Sequence, residues 1–437
     1  MSPTGDRASA RLLVPLAGAD AAIAGQMGPK ASRLATLRRA GLPVPDGFCL
    51  TAEAYRIHLA AAGLEVAAGR AASAGAGAAR RLAVAIRLGL LRVPLEAAVA
   101  DALAAAYARL ASPPWRLLAV RSSALCEDTA ATSFAGQFET ILGVAGAADL
   151  VTAVRACWAS LWSTRALGYM QERDVDPAGS AMAVLIQPLL DARTAGGGLS
   201  QTPDGHMLVT AAWGLGATVA HGEVVPDRYL LRRDGGIERV ELGHKALRAT
   251  CSAAVGLRWH PVEPDVAARR CLTDGEAASV GRLMRQAEAV FDRPVEIEWA
   301  LEGASPHLLQ ARPLSVESRP AAGELSLGDS GLSGHPAGAG RAAGPARVVD
   351  CEVDLARVRS GDVLVTRVPG PALAAILPRV VAVVAELGGS TSHLAALARE
   401  RGIPAVLGVA GATRRIPEGS WLTVDGVLGV VRWNSRA

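Results

Sequence analysis

The stretch 385-AELGGSTSHLAALARERGIPAVLGV-409 decides how the rest of the chain is read. Gly388 and Gly389 permit a tight turn, hydroxyls follow at Ser390, Thr391 and Ser392, and a helix-forming run begins at His393. Any of the three hydroxyls can cap that helix. His393 then stands in the first helical turn, beside unsatisfied backbone N–H groups and the positive end of the helix dipole. Such surroundings lower an imidazole's proton affinity and favour negative charge close by. A neutral imidazole is a good nucleophile, and a phosphoryl group placed on it would meet ready donors. A histidine that only helps the helix to start is the simpler reading of the same spacing.

Around this helix the sequence offers short strands: GDVLVTRV (361–368), VVAVVAE (380–386), PAVLGV (404–409) and WLTVDGVLGVV (421–431). Upstream, VESRPAAGELSLGDSGLSGHPAGAGRAAGPA (316–346) is dense in Gly, Ala, Ser and Pro and reads as a linker entering a second domain. A flexible tether of about 20 residues has a root-mean-square span near ~25 Å. Before it, amphipathic helices, as around 94–111 and 276–291, alternate with short strands such as LLAVRSS, MAVLIQPLL, HMLVTAAW and VEIEWAL. AAGRAASAGAGAARR (67–81) reads as a low-complexity loop or a loose helix end. The expected division is a first domain over 1–315, a linker over 316–334 and a small domain over 335–437.

Bulk properties exclude several classes. A chain of 437 residues with 50% hydrophobic content holds two or three domains with real cores. A net charge of +4, scattered basic residues and 4% aromatics argue against nucleic acid as a partner. Six dispersed cysteines without a CxxC pair fit reduced thiols and a cytoplasmic location. No uncharged apolar run reaches membrane-span length, so no membrane partner is expected. RLLVPLAGADAAIAG (11–25) is interrupted by Asp20 and reads as a buried first strand rather than a signal sequence.

Only two of the 45 basic side chains are lysines, Lys30 and Lys245. Lys30 opens an amphipathic helix, where a compact ammonium can meet a phosphate as a point charge. For Lys245, a surface remnant and a specific role are equally good readings.

Two further constellations suit nucleotide chemistry. In AVRSSALCEDTAATSFAGQFETILGV (119–144), Arg121 follows a strand and can take phosphate oxygens bidentately, and Gly136 lets backbone amides approach a polyphosphate. In PVEIEWALEGASPHLLQARPL (294–314), Glu298 lies on one strand, and Gln310 and Arg312 share a face of the next. A carboxylate and an amide oxygen suit Mg²⁺, which keeps waters and binds substrate phosphates, and Arg312 would neutralise phosphate charge. Structural ion pairing among the same residues is the plainer alternative.

Taken in order, GPKASRLATLRRAGLPVPDGF, VRSSALCEDTAATSFAGQFET, CWASLW, AAWGLGATVAHGEVVPDRY, EIEWALEG, LQARPL and GGSTSHLAALARERGIPAVLGV carry a resemblance that spans nearly the whole chain. The chain resembles the family of phosphoenolpyruvate synthase, pyruvate phosphate dikinase and rifampin phosphotransferase. The resemblance implies an α+β multidomain protein: an ATP-grasp-like nucleotide-binding domain followed by a small swivelling phosphohistidine domain of β/α type. It implies that His393 carries the phosphoryl group, and that Lys30, Arg121, Gly136 and Thr140 hold the ATP phosphates. By the same token Gln187 meets the nucleotide base at the hinge, Glu298 and Gln310 serve Mg²⁺ and ATP, and Arg312 adds a phosphate contact. ATP and Mg²⁺ are the implied cofactors. The implied activity is an AMP-forming phosphotransferase that passes the β-phosphate of ATP through His393 to a small-molecule acceptor. Two positions depart from the pattern: Pro29 replaces a glycine before Lys30, and Ala217 replaces an acid after Gly-Leu-Gly. Neither the barrel that binds pyruvate in the synthase nor the antibiotic-binding insert of rifampin phosphotransferase is expected in these residues. Pyruvate and rifampin are therefore not the expected acceptors for this chain alone, and a partner subunit carrying the acceptor site is the alternative.

Overall fold

The computed structural model describes residues 12–110, 117–127, 133–314 and 330–433. The chain forms two compact units. The first comprises Met1–Leu190, Cys251–Arg258 and Leu308–Arg312, and the second Asp191–Thr250, Trp259–His307 and Pro313–Ala437.

In the first unit, an antiparallel sheet runs in the order Leu13–Pro15, Phe48–Leu50, Met182–Pro188, Leu118–Ala124 and Thr140–Val144. Every residue of Leu118–Ala124 is buried, which suits a composition that is apolar or small at every position except Arg121. Helices cover the sheet, and Trp158 anchors them edge-on to Tyr55, whose hydroxyl accepts the Trp162 indole N–H at 2.8 Å. The expected first strand is short, only Leu13–Pro15, and a 3-10 turn ends it.

The alanine-rich segment 67–81 is a correction: it lies within two helices, Glu65–Ser73 and Ala76–Arg92. Alanine favours helix strongly, and only the short break at Ala74 and Gly75 interrupts it. Gly89 supplies the tertiary reason, because a Cβ there would meet the Leu64 side chain at 2.8 Å.

The second unit carries an antiparallel sheet in the order Val295–Glu302, Thr194–Leu199, Met207–Trp213, Asp227–Leu231 and Ile237–Glu241. Helix Asp274–Phe291 starts at a reciprocal cap: Glu276 N–H donates to the Thr273 hydroxyl at 3.3 Å, and Thr273 N–H donates to the Glu276 carboxylate at 2.8 Å. The strand TAGGGL is glycine-rich because backbones and side chains crowd it from both faces. A Cβ on Gly198 would meet Met284 at 2.4 Å, and one on Gly197 would meet Thr391 at 2.5 Å. Lys245 is fully buried and donates to Asp227, which is fully buried as well. That settles Lys245 as an interior ion pair, not a surface remnant.

The same unit contains an eight-stranded mixed sheet in the order Ser330–Ser333, Val430–Trp433, Trp421–Asp425, Arg341–Val349, Asp362–Thr366, Val380–Ala385, Ala405–Leu407 and His335–Gly338. Its centre is parallel from Arg341–Val349 to Ala405–Leu407, and VVAVVA reads as a continuous apolar run because such strands are covered on both faces. Residues 330–346, expected as linker and domain entrance, are strands. Their small residues serve close packing: a Cβ on Gly338 would meet the Ile403 carbonyl and one on Gly344 the Gly361 carbonyl, each at 2.3 Å. The remaining linker residues, 316–329, lie outside the described residues. Among the described residues there is no barrel of parallel strands, and no helix is long and apolar enough to cross a membrane.

His335 gives a first testable consequence. Its Nδ1 is sealed from solvent without a hydrogen-bond partner among the described residues, and desolvation, with the charge of Arg228, lowers its pKa to about 4 against the opposing pull of Glu241. The unfolded chain therefore binds the proton first, and the stability contributed by the neutral ring is full above about 6.5 and lost as pH falls towards 4. Urea midpoints measured from pH 7 to pH 4 should fall, and His335→Leu should flatten part of that fall.

Candidate functional site

In the first unit the candidate residues gather on one strand and its neighbours. Gly28 adopts φ +70° and kinks helix Ala24–Arg39, and a Cβ there would lie 2.2 Å from the Ser123 carbonyl oxygen. Only glycine tolerates that approach. The kink seats Ala31 N–H on the Ser123 hydroxyl at 3.1 Å and points Lys30 at strand Leu118–Ala124. Lys30 Nζ donates to the Ser122 carbonyl at 2.7 Å and pairs with Glu127 at 3.0 Å, both side chains buried. Arg121, on the same strand, donates to the Leu309 carbonyl and, at 3.1 Å, to Gln310 Oε1. Thr140 lies directly across the ladder from Arg121 and is exposed. Gly136, at φ +66°, turns the chain just before it. Gln187 pairs across from Ala119, which shares a face with Arg121, and its amide donates to the Pro45 carbonyl at 2.9 Å.

The second unit builds its cluster on strand Val295–Glu302. Glu298 is half-buried and lies opposite Gly197, so the missing side chain at Gly197 leaves room beside the carboxylate. Thr391 fills that room, and its hydroxyl meets the Thr210 hydroxyl at 2.7 Å. The turn before the histidine helix is thereby fixed on the face that carries Glu298. Ser392 proves to be the cap: its hydroxyl accepts Ala395 N–H at 3.3 Å, and His393 is the first residue of helix His393–Glu400. The His393 ring lies 6.0 Å from the ring of His221, which in turn stacks against Trp259 at 6.4 Å.

Two of the cysteines are poor nucleophiles. Burial pushes the Cys126 thiol up to about 11 and the Cys157 thiol to about 12, so neither is a thiolate at neutral pH.

Residues 24–326 match the family described as pyruvate phosphate dikinase, AMP/ATP-binding domain, and residues 358–429 match the PEP-utilising enzyme, mobile domain. The chain belongs to the pyruvate phosphate dikinase family. It is 32% identical to a phosphoenolpyruvate synthase of Aeropyrum pernix over 93% of this chain and 56% of the relative. A phosphoenolpyruvate synthase of Pseudomonas aeruginosa is 33% identical over 90% of this chain and 53% of the relative, and that of Escherichia coli 32% over 88% and 52%. The chain thus spans about half the length of the curated relatives it matches.

Within this dikinase-family chain the two departures have different standing. Pro29 falls at the first helical position after the Gly28 kink, where a missing N–H costs nothing, so the substitution fits the local geometry. Ala217 begins the short helix Ala217–Ala220, and His221 N–H closes that turn on the Ala217 carbonyl at 2.9 Å. The polar group missing at 217 is followed one turn later by an imidazole. Motif reading did not single out His221, Gly197 or Thr210, because their importance depends on contacts from residues more than a hundred positions away. AGGG at 195–198, three glycines inside a strand, was the available signal for close approach.

Among the described residues no three His, Cys, Asp or Glu side chains gather as a cage. Glu298 in the second unit and Gln310 in the first each carry an oxygen donor of the kind that Mg²⁺ accepts.

Proposed function

We propose that this chain is an ATP-dependent phosphotransferase of the dikinase type, in which His393 attacks the β-phosphorus of ATP and hands the phosphoryl group to a small-molecule acceptor. That attack displaces AMP and leaves the β- and γ-phosphates together on His393; water then cleaves the terminal one as inorganic phosphate, and the remaining phosphoryl group passes to the acceptor. The observation that carries this reading is the seat of the His393 turn: Thr391 lies against Gly197, directly across the ladder from Glu298. A nucleophile held there needs no large movement to reach phosphates bound at that face.

In this reading residues 1–315 form an ATP-grasp-like module, and residues 330–437, which include edge strand Ser330–Ser333, form a swivelling histidine domain. Lys30, Arg121, Gly136, Thr140 and Arg312 hold phosphates, and Gln187 holds the base. Arg121 already aims its guanidinium at Gln310, so phosphate binding would exchange one charge-assisted contact for a stronger bidentate one. Mg²⁺ held by Glu298 and Gln310 would neutralise phosphate charge. His393 must approach two reaction centres in turn, each within about 3–3.5 Å, and that requirement makes the swivel necessary.

The test uses the purified chain with ATP labelled separately on the β- and γ-phosphates. Label from the β-position should appear on the protein, label from the γ-position should appear as inorganic phosphate, and AMP should accumulate with turnover. Glu298→Gln should weaken labelling by roughly 10²–10³-fold, the scale of one lost electrostatic partner at a charged transition state. ADP as the sole nucleotide product would sink the reading in favour of an ordinary kinase.

A further inference from the structure

The turn carrying His393 is held by a second set of contacts, all made by one side chain of its own helix. Arg399, near the end of the same helix, reaches back with one nitrogen to the Ser390 carbonyl and, at 3.4 Å, to the Ala337 carbonyl. Its other terminal nitrogen donates to Glu296 Oε2 at 2.7 Å. Glu296 precedes Glu298 by two residues on strand Val295–Glu302, so both carboxylates stand on one face. One guanidinium therefore ties the shape of the histidine turn to its position along that strand. The pair is well shielded, with side-chain exposures of 14% for Arg399 and 9% for Glu296.

We propose that Arg399 and Glu296 are positioning residues that set the register of His393 on the Glu298 strand for the ATP half-reaction, and that this pair must open for the histidine domain to leave. The inference rests on the phosphohistidine reading given above. A shielded ion pair suits a reversible dock because desolvation offsets most of its Coulomb attraction. It specifies geometry without holding hard, whereas an apolar patch of the same size would adhere in many registers. The Thr210–Thr391 hydroxyl contact adds direction at the other end of the turn. The planar fork matters, since an ammonium at 399 could not span the Ser390 carbonyl and Glu296 together.

The experiment compares the full chain with Glu296→Gln and with Arg399→Lys. Each should slow β-phosphate labelling of His393 by about 10–100-fold, the scale expected when a nucleophile is misplaced by about 1 Å. The KM for ATP should be unchanged in both. Unchanged labelling, or a loss that appears in KM alone, overturns the assignment. Amide hydrogen exchange of residues 388–396 without nucleotide is the second arm. Protection should fall in both variants, and equal protection in all three proteins overturns the proposal whether or not ATP labels the chain. Absence of labelling in the unaltered protein counts instead against the phosphohistidine reading.

Discussion

Replacing His393 with alanine is expected to remove every acid-labile, base-stable phosphoryl group from the protein and to cut AMP formation by on the order of 10⁴-fold or more, the scale seen when an enzyme loses its nucleophile. The fold should survive. His393 is the first residue of its helix, the cap is the Ser392 hydroxyl, and alanine is the best helix former. Thermal midpoints of the two proteins should therefore agree, which separates loss of chemistry from loss of structure. The result is discriminating because a second imidazole stands near: the His221 ring lies 6.0 Å from that of His393. Label surviving in His393→Ala but vanishing on further replacement of His221 would move the phosphoryl carrier to His221. Label surviving in both would exclude a histidine at this turn altogether.

Parts of this arrangement were legible because local chemistry dictates them. Gly388 takes φ +89°, a hydroxyl caps the helix, and VVAVVA forms a covered parallel strand, each as its composition requires. The family was legible because several short motifs stand in order, each tied to backbone geometry, as Gly28 is tied to the Ser123 carbonyl. What composition misread were segments whose small residues answer to distant neighbours. In 330–346 glycine signals crowding between strands, and in 67–81 alanine signals helix packing, though both compositions resemble flexible sequence. The register of the histidine turn was invisible for the same reason. Glu296 and Arg399 are 103 positions apart, and nothing local in either segment announces the other. Among three candidate caps, only the fold selects Ser392, since Ser390 spends its hydroxyl on the Pro336 carbonyl and Thr391 on Thr210.

Lys245→Met is expected to destabilise the second unit by about 3–5 kcal/mol, because it leaves a buried carboxylate without its countercharge. Asp227 has no solvent access, and its two oxygens already accept Gly243 N–H and Cys271 N–H, each at 2.8 Å. Those donors orient the carboxylate but do not neutralise it. Against a typical total of about 5–15 kcal/mol, such a loss is large and should lower the urea midpoint reported by the buried Trp299. Lys245→Arg should also destabilise, since the site encloses a compact ammonium completely and a guanidinium fork is wider. That explains why lysine persists here in a chain that otherwise uses arginine: 43 of its 45 basic residues are arginines, and both lysines lie in buried ion pairs. Replacing both partners, Asp227→Asn with Lys245→Met, should recover much of the loss, because no isolated charge remains buried. If the double variant is no more stable than Lys245→Met, the ion pair is not what the lysine is kept for, and the site depends on the shape of its side chain instead.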